Sequence, residues 1–274
     1  MQVGIFAKTF PELGAMPVLT AARTAGYDTV QFNMACMGLP AMPDEIADDI
    51  ARDIGKASIG ASVGIAALSG TYNMIHPDVS VRADGLRRLA LIIKAAKIMG
   101  APMVTLCTGT RDAQDQWKHH PNNNTPEAWS DLLTEMQKAA QLAEPHGVML
   151  GIEPELANVI SSAAHARKLL DEMKSPALRI VLDPANLFEV ESETRRKDII
   201  ASAIDLLSDR IAMAHAKDRD GHGNFVAAGT GVIDFDHFIG QLKATGFDGP
   251  LVTHGLNAAE APAVSHFLKG IVAA

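Results

Sequence analysis

The chain has 274 residues, 47% of them hydrophobic and 20% charged, with a net charge of −8, which suits one large globular domain over residues 1–274. An acidic chain without a dense Lys/Arg stripe is a poor nucleic-acid ligand, because that affinity comes mostly from neutralised phosphates. No segment reaches the roughly 18 uninterrupted apolar residues of a membrane span, so neither nucleic acid nor membrane is an expected partner.

From the N-terminus, "MQVGIFAKTF" lacks the basic start and small-residue cleavage site of a signal peptide and reads as a first strand, 3–7. A helix near 15–25 follows, closed by Gly26. The strand "TVQFN" (29–33) precedes a helix near 43–56, opened by Pro43 and Asp44. The run 59–68 reads as a third strand and leads to a long helix near 79–99, closed by Gly100. "PMVTLC" (102–107) passes through an Asn-rich loop to a helix near 126–146, with Thr125 as cap, Pro126 at its first position and Gly147 beyond it. Four further strands, at 148–153, 178–183, 210–216 and 250–255, alternate with helices near 161–173, 194–207, 235–245 and 258–271.

Strands apolar on both faces, with no hairpin turns between them, argue for a parallel sheet covered by helices. Eight strand–helix repeats predict closure into a (β/α)8 TIM barrel. A doubly wound sheet is the alternative, but the first turn, "FAKTFPELGAM", has no GxGxxG. Cys36 and Cys107 match no zinc or redox spacing and read as reduced thiols of a cytoplasmic protein.

Barrel chemistry lies at the C-terminal ends of the strands, so each strand is informative at its exit. The fifth to eighth end in Glu153, Asp183, His215 and His254. A lone Asp or Glu before Pro is often a turn former, and a lone His is often structural. Four such groups on adjacent strands instead suit a shared divalent cation, since carboxylate and imidazole together hold Mn2+, Zn2+, Fe2+ or Co2+. Around them stand candidate substrate contacts: Lys8, then Tyr72, Asn73 and His76 in "SGTYNMIHPD", Arg111 in "CTGTRD", Glu155 and Asn186. Lys217 is a candidate for orienting a substrate oxygen or pairing with Asp218. The segment 220–231 is Gly-rich without a P-loop Lys and reads as a mobile rim.

"GIEPE", "VLDPANLF" and "AHAKD", in this order, resemble the xylose isomerase-like superfamily of sugar isomerases and epimerases, which includes ketose 3-epimerases and inosose dehydratases. The resemblance implies a (β/α)8 barrel with one or more divalent cations, Mn2+ placed ahead of Co2+, Mg2+, Fe2+ and Zn2+. It implies that Glu153 is a ligand that also moves a proton, and that Asp183 and His215 are ligands. Two departures stand out. His254 replaces the glutamate that epimerases use as fourth ligand and second acid/base, and Asn186 replaces a histidine of many relatives.

The expected activity is metal-dependent sugar isomerisation or epimerisation, through proton removal beside a carbonyl and an enediolate. Glu153, His254 and Lys217 are the expected catalytic residues, with Glu155 and His76 as further proton carriers should His254 be a ligand. A dehydratase or lyase acting on a keto-polyol, and a non-catalytic sugar-binding barrel, are the alternatives. The expected partner is a small sugar or keto-polyol, and the expected assembly is a dimer or tetramer.

Overall fold

A computed structural model describes residues 1–274. Its strands, in chain order, are β1 (Val3–Phe6), β2 (Thr29–Phe32), β3 (Gly64–Ser69), β4 (Met103–Leu106), β5 (Met149–Ile152), β6 (Leu178–Leu182), β7 (Ile211–Ala216), β8 (Asp218–Arg219), β9 (Phe225–Val226) and β10 (Leu251–Thr253). All but the short β8 and β9 are parallel and close into an eight-stranded barrel. Each barrel strand pairs with its neighbours in the chain, and β10 closes the ring against β1 with Gly4 opposite Val252. Eight α-helices cover the outside: α1 (Ala15–Thr24), α2 (Asp48–Ala61), α3 (Val79–Met99), α4 (Pro126–Ala143), α5 (Ala163–Met173), α6 (Glu193–Leu207), α7 (Phe235–Ala244) and α8 (Ala261–Ala273).

Strand periodicity sets the chemistry. Successive side chains alternate faces, so residues two apart share one. Val181, Met213 and Val252 pack together inside the barrel with Met103, and a Cβ on Gly151 would meet Met103 and Val181 at under 3 Å. Two residues onward from Gly151, Val181, Met213 and Val252 stand Glu153, Asp183, His215 and His254. The apolar layer therefore forms the floor beneath four ionisable groups. Most of the remaining buried apolar side chains form one continuous core between strands and helices, each large one contributing about 1.5–3 kcal/mol.

Helix ends follow the expected chemistry in most places. The Thr125 side chain accepts from the Ala128 N–H at 3.2 Å, Pro126 opens α4, and Gly147 ends the following 3-10 turn at positive φ. Ser162 caps α5 and Asp78 caps α3. The second helix is the main correction. It begins at Asp48, not Pro43, and runs to Ala61, so residues 59–61 are helical and β3 starts at Gly64. Asp44 instead pairs with Arg87 and Arg88 of α3, while Asp48 and Asp49 fill the first turn, where the helix dipole favours negative charge.

The Gly-rich rim is partly regular, because β9 within it pairs antiparallel with β8 just before it. The buried Asp218 carboxylate accepts backbone N–H bonds from Arg219, Gly229, Gly231 and Ile233 at 2.8–3.1 Å. Asp218 is thus a staple for the loop and makes no pair with Lys217.

Tyr72 is buried with its ring against Gly85 of α3, where an added Cβ would overlap the ring. Gly85→Ala is expected to destabilise the fold by about 1–3 kcal/mol, the usual cost of overpacking. A denaturant midpoint equal to wild type would contradict this placement of Tyr72.

Candidate metal centre and its cavity

Glu153, Asp183, His215 and His254 each offer one ligand atom, and these four atoms lie within 4.8 Å of one another. Glu153, Asp183 and His254 directly follow the last residues of β5, β6 and β10, and His215 lies at the end of β7, so the barrel itself sets their spacing. Asp183 is wholly buried. Its Oδ1 accepts the Ala185 N–H at 2.9 Å, and Oδ2 lies 3.2 Å from both Lys217 Nζ and His254 Nε2. His215 Nδ1 lies 3.2 Å from Glu153 Oε1, and the two imidazoles meet edge-on with centroids 4.6 Å apart.

The protonation states follow from this crowding. Burial works to raise the Asp183 carboxyl, but the Lys217 ammonium and the His254 hydrogen bond outweigh it and hold the group well below the usual carboxylate range. Burial likewise opposes ionisation of Glu153, yet the charge and hydrogen bond of His215 bring it below its ordinary value. His215 is raised in return, because Glu153 outweighs its desolvation. His254 is lowered, chiefly by burial, and stays neutral. Two ionised carboxylates and two imidazole nitrogens form a donor set suited to a divalent cation.

A cavity of about 520 Å³ opens above this group. Glu153, Glu155, Asn186, His215, Lys217 and His254 line it, together with Lys8 at the mouth. An open depression of about 560 Å³ beside α1 has Glu12 as its only ionisable group and lacks this chemistry. Asn186 is a bridge: its Nδ2 donates to Glu153 Oε1 at 2.8 Å, and its Oδ1 accepts from Lys217 Nζ at 2.9 Å. Lys217 is buried, held by Asp183 and Asn186, and lies 3.8 Å beneath the Phe225 ring. Glu155 makes no side-chain hydrogen bond, and burial together with the charge of Glu153 pushes it up to about 7.

Four expected substrate contacts fall outside the cavity wall. Tyr72 is turned into α3. Asn73 donates to the Thr110 and Asp112 carbonyls and accepts the Thr110 N–H, so it ties the β3 and β4 loops together. His76 contacts the Ala113 carbonyl and the Asp78 N–H. Arg111 pairs with Asp131 at 2.6 Å and donates to the Ile75 carbonyl. These residues shape the loops behind the cavity. Glu260, the first acidic residue after His254 in the chain, lies apart from the cluster, where it precedes α8 and accepts the Asn257 N–H.

Among the other wall residues, Asn33 is readable as the exit of the second strand, "TVQFN", and Trp117 as part of the long loop before α4; the rest carry no motif. Gln31, Asn33, Gln116, Trp117, Asn158 and Phe225 all face the cavity. Trp117 and Phe225 are about half exposed there. Only strand periodicity points to Gln31, which shares a face with Thr29 on β2.

Together, fold and site define a (β/α)8 barrel with a ligand-rich pocket at the C-terminal mouth. The chain belongs to the xylose isomerase-like TIM barrel family, whose model matches residues 19–269. Among curated relatives, L-ribulose-5-phosphate 3-epimerase UlaE of Shigella flexneri serotype 5b is 25% identical, covering 95% of this chain and 89% of its own. Among solved structures, an L-ribulose 3-epimerase superposes with a TM-score of 0.77 at 19% identity, covering 99% of this chain and 94% of its own. The 3-keto-D-glucoside 4-epimerase YcjR from E. coli gives 0.76 at 16% identity, covering 98% and 99%.

Burial of Glu155 makes a pH-dependent prediction. Its folded value, about 7, exceeds that of a free carboxyl, about 4.3, so the protonated form favours folding. That contribution is full below about pH 4 and is lost as pH rises through about 7. Glu155→Gln should therefore stabilise the metal-free protein near about pH 8 and leave it unchanged near about pH 4. Equal urea-midpoint shifts at both pH values would contradict the assignment.

Proposed function

We propose that this chain is a divalent-metal-dependent sugar epimerase or isomerase that removes a proton beside the carbonyl of a ketose or keto-sugar. The observation that carries the reading is the four-donor cluster beneath a cavity into which both Glu153 and Glu155 open. The Shigella relative acts, by its name, on L-ribulose 5-phosphate, and the structural neighbours on ketoses and a keto-glucoside. The whole of residues 1–274 is taken as one barrel domain. Mn2+ is the proposed ion, ahead of Co2+, Mg2+, Fe2+ and Zn2+. A dimer or tetramer in the cytoplasm belongs to the same reading, the location resting on two buried cysteines that form no disulfide.

Glu153, Asp183, His215 and His254 would hold the ion. When bound, it would polarise the substrate carbonyl and stabilise the negative charge that follows deprotonation. Glu153 Oε1 faces His215 and Asn186, whereas Oε2 has no hydrogen-bond partner in the protein. Oε2 is therefore the proposed base for the C–H proton. His254 is committed to Asp183, and Lys217 to Asp183 and Asn186. His76 is engaged by the Ala113 carbonyl outside the cavity. That leaves Glu155, unpaired and raised toward neutrality, as the second proton carrier. Lys217 holds the charge of Asp183 in place, and Lys8, which makes no ion pair, is the proposed contact for a distal substrate oxygen.

Replacement of the strand-eight glutamate by His254 keeps elimination, giving a dehydratase or lyase, as the second reading. Both outcomes begin with the same proton transfer. Deuterium exchange in D2O, with metal-loaded protein and a panel of ketoses, their phosphates, inososes and 3-keto-glycosides, tests that step by mass spectrometry. Exchange should require metal and fall by at least about 10²-fold in Glu153→Gln. Glu155→Gln should retain exchange but lose the epimerised product by about 10²-fold or more. A product lighter by one water would select elimination. No exchange across the panel with metal bound would overturn the reading and favour a sugar-binding barrel.

A further inference from the structure

Gln31 is a polar residue in a strand that is otherwise buried against apolar neighbours. It is 6% exposed and faces the barrel lumen beneath the metal cluster. Its two amide hydrogens and its carbonyl are directed at three side chains from three other strands. Nε2 donates to Ser69 Oγ of β3 and Thr105 Oγ1 of β4, both at 3.2 Å. Oε1 faces His215 Nε2 of β7 at 2.9 Å. A glutamine here is costly to bury unless each polar atom is matched, and this set matches both amide hydrogens and the carbonyl.

We propose that Gln31 is a positioning residue for the metal centre: by accepting from His215 Nε2–H it keeps that proton on Nε2, so that the Nδ1 proton, shared with Glu153 in the metal-free site, is the one a bound ion would displace. The inference rests on the metal reading above. The two ring nitrogens of a neutral imidazole cannot both carry the proton. With the amide oriented as described, Nε2 holds it and Nδ1, 3.2 Å from Glu153 Oε1 and 4.0 Å from Asp183 Oδ2, is the ligand atom. Were the amide reversed, its N–H would face Nε2, the proton would sit on Nδ1, and His215 could not serve as a ligand from that side. Ser69 and Thr105 act one step further out, their hydroxyl oxygens accepting both amide hydrogens when Oε1 faces His215. A neutral partner also adds no charge to a site that already holds Asp183, Glu153 and Glu155.

Two measurements test this. In wild-type protein loaded with Zn2+ and labelled with ¹⁵N-histidine, long-range ¹H–¹⁵N correlation should show His215 protonated at Nε2 and metal-bound at Nδ1. Protonation at Nδ1 would overturn the proposal, and this measurement needs no variant to fold. Chelator competition with Zn2+ or Mn2+ then compares variants. Gln31→Met, which keeps the volume but loses the acceptor, should weaken metal affinity about 10–100-fold. Gln31→Glu, which restores an acceptor, should recover it. Unchanged affinity in Gln31→Met, or an equal loss in both variants, would overturn the proposal. A wild-type protein that binds neither ion would overturn the metal reading and this inference together. Metal bound through Nδ1 without any C–H exchange would refute the proposed reaction alone.

Discussion

One carboxylate, Asp183, organises the mouth of the barrel. It is wholly removed from water, and an isolated charge there would be far more costly than a protonated acid. It remains ionised because Lys217, His254 and His215 surround Oδ2 and the Ala185 N–H satisfies Oδ1. These groups arrive from the ends of β6, β7 and β10, so the ionisation of Asp183 depends on the barrel that brings them together. The Pro184–Asn186 turn that begins at Asp183 also delivers Asn186 to its place between Glu153 and Lys217. Charge, turn and bridge form one arrangement.

The surrounding side chains hold the cluster with little added charge. Asn186 bridges Glu153 to Lys217, and Gln31 ties His215 to Ser69 and Thr105. Both are amides with donors and acceptors used at once. Below them lies an apolar floor of Val181, Met213 and Val252, which denies water access from beneath. Above them the walls bring aromatic surface from Trp117 and Phe225 and a free carboxyl from Glu155. The result is a pocket whose base is rigid and charged and whose rim is mixed. That is the division of labour expected where one barrel scaffold carries loops of different specificity.

Much of this is legible in the amino-acid sequence. The eight repeats show because most helices are punctuated by Gly, Pro or a capping hydroxyl, as at Thr125, Pro126 and Gly147. The four cluster residues show because an ionisable side chain ending an apolar strand has few structural reasons to be there. The second helix is misplaced by such signals, since Pro43 and Asp44 imitate a helix start, while the real one has Ala47 as cap and no side-chain bond. Tyr72, Asn73, His76 and Arg111 resemble sugar contacts because their types suit one. Their directions are set by long-range partners, namely Gly85, Thr110, Ala113 and Asp131, and no local pattern encodes those. Gln31 escapes notice for the opposite reason: within "TVQFN" it looks like an ordinary polar interruption, and its partners are 38, 74 and 184 residues away.

Everything proposed for the cavity requires that Glu153, Asp183, His215 and His254 hold one divalent cation at its floor. Crystals soaked in Mn2+ and measured at the manganese absorption edge would show this without recourse to any substrate. A single strong anomalous peak among these four side chains, lost in Asp183→Ala, is the expected result. A peak elsewhere, or none beside an intact cluster, would contradict a shared site.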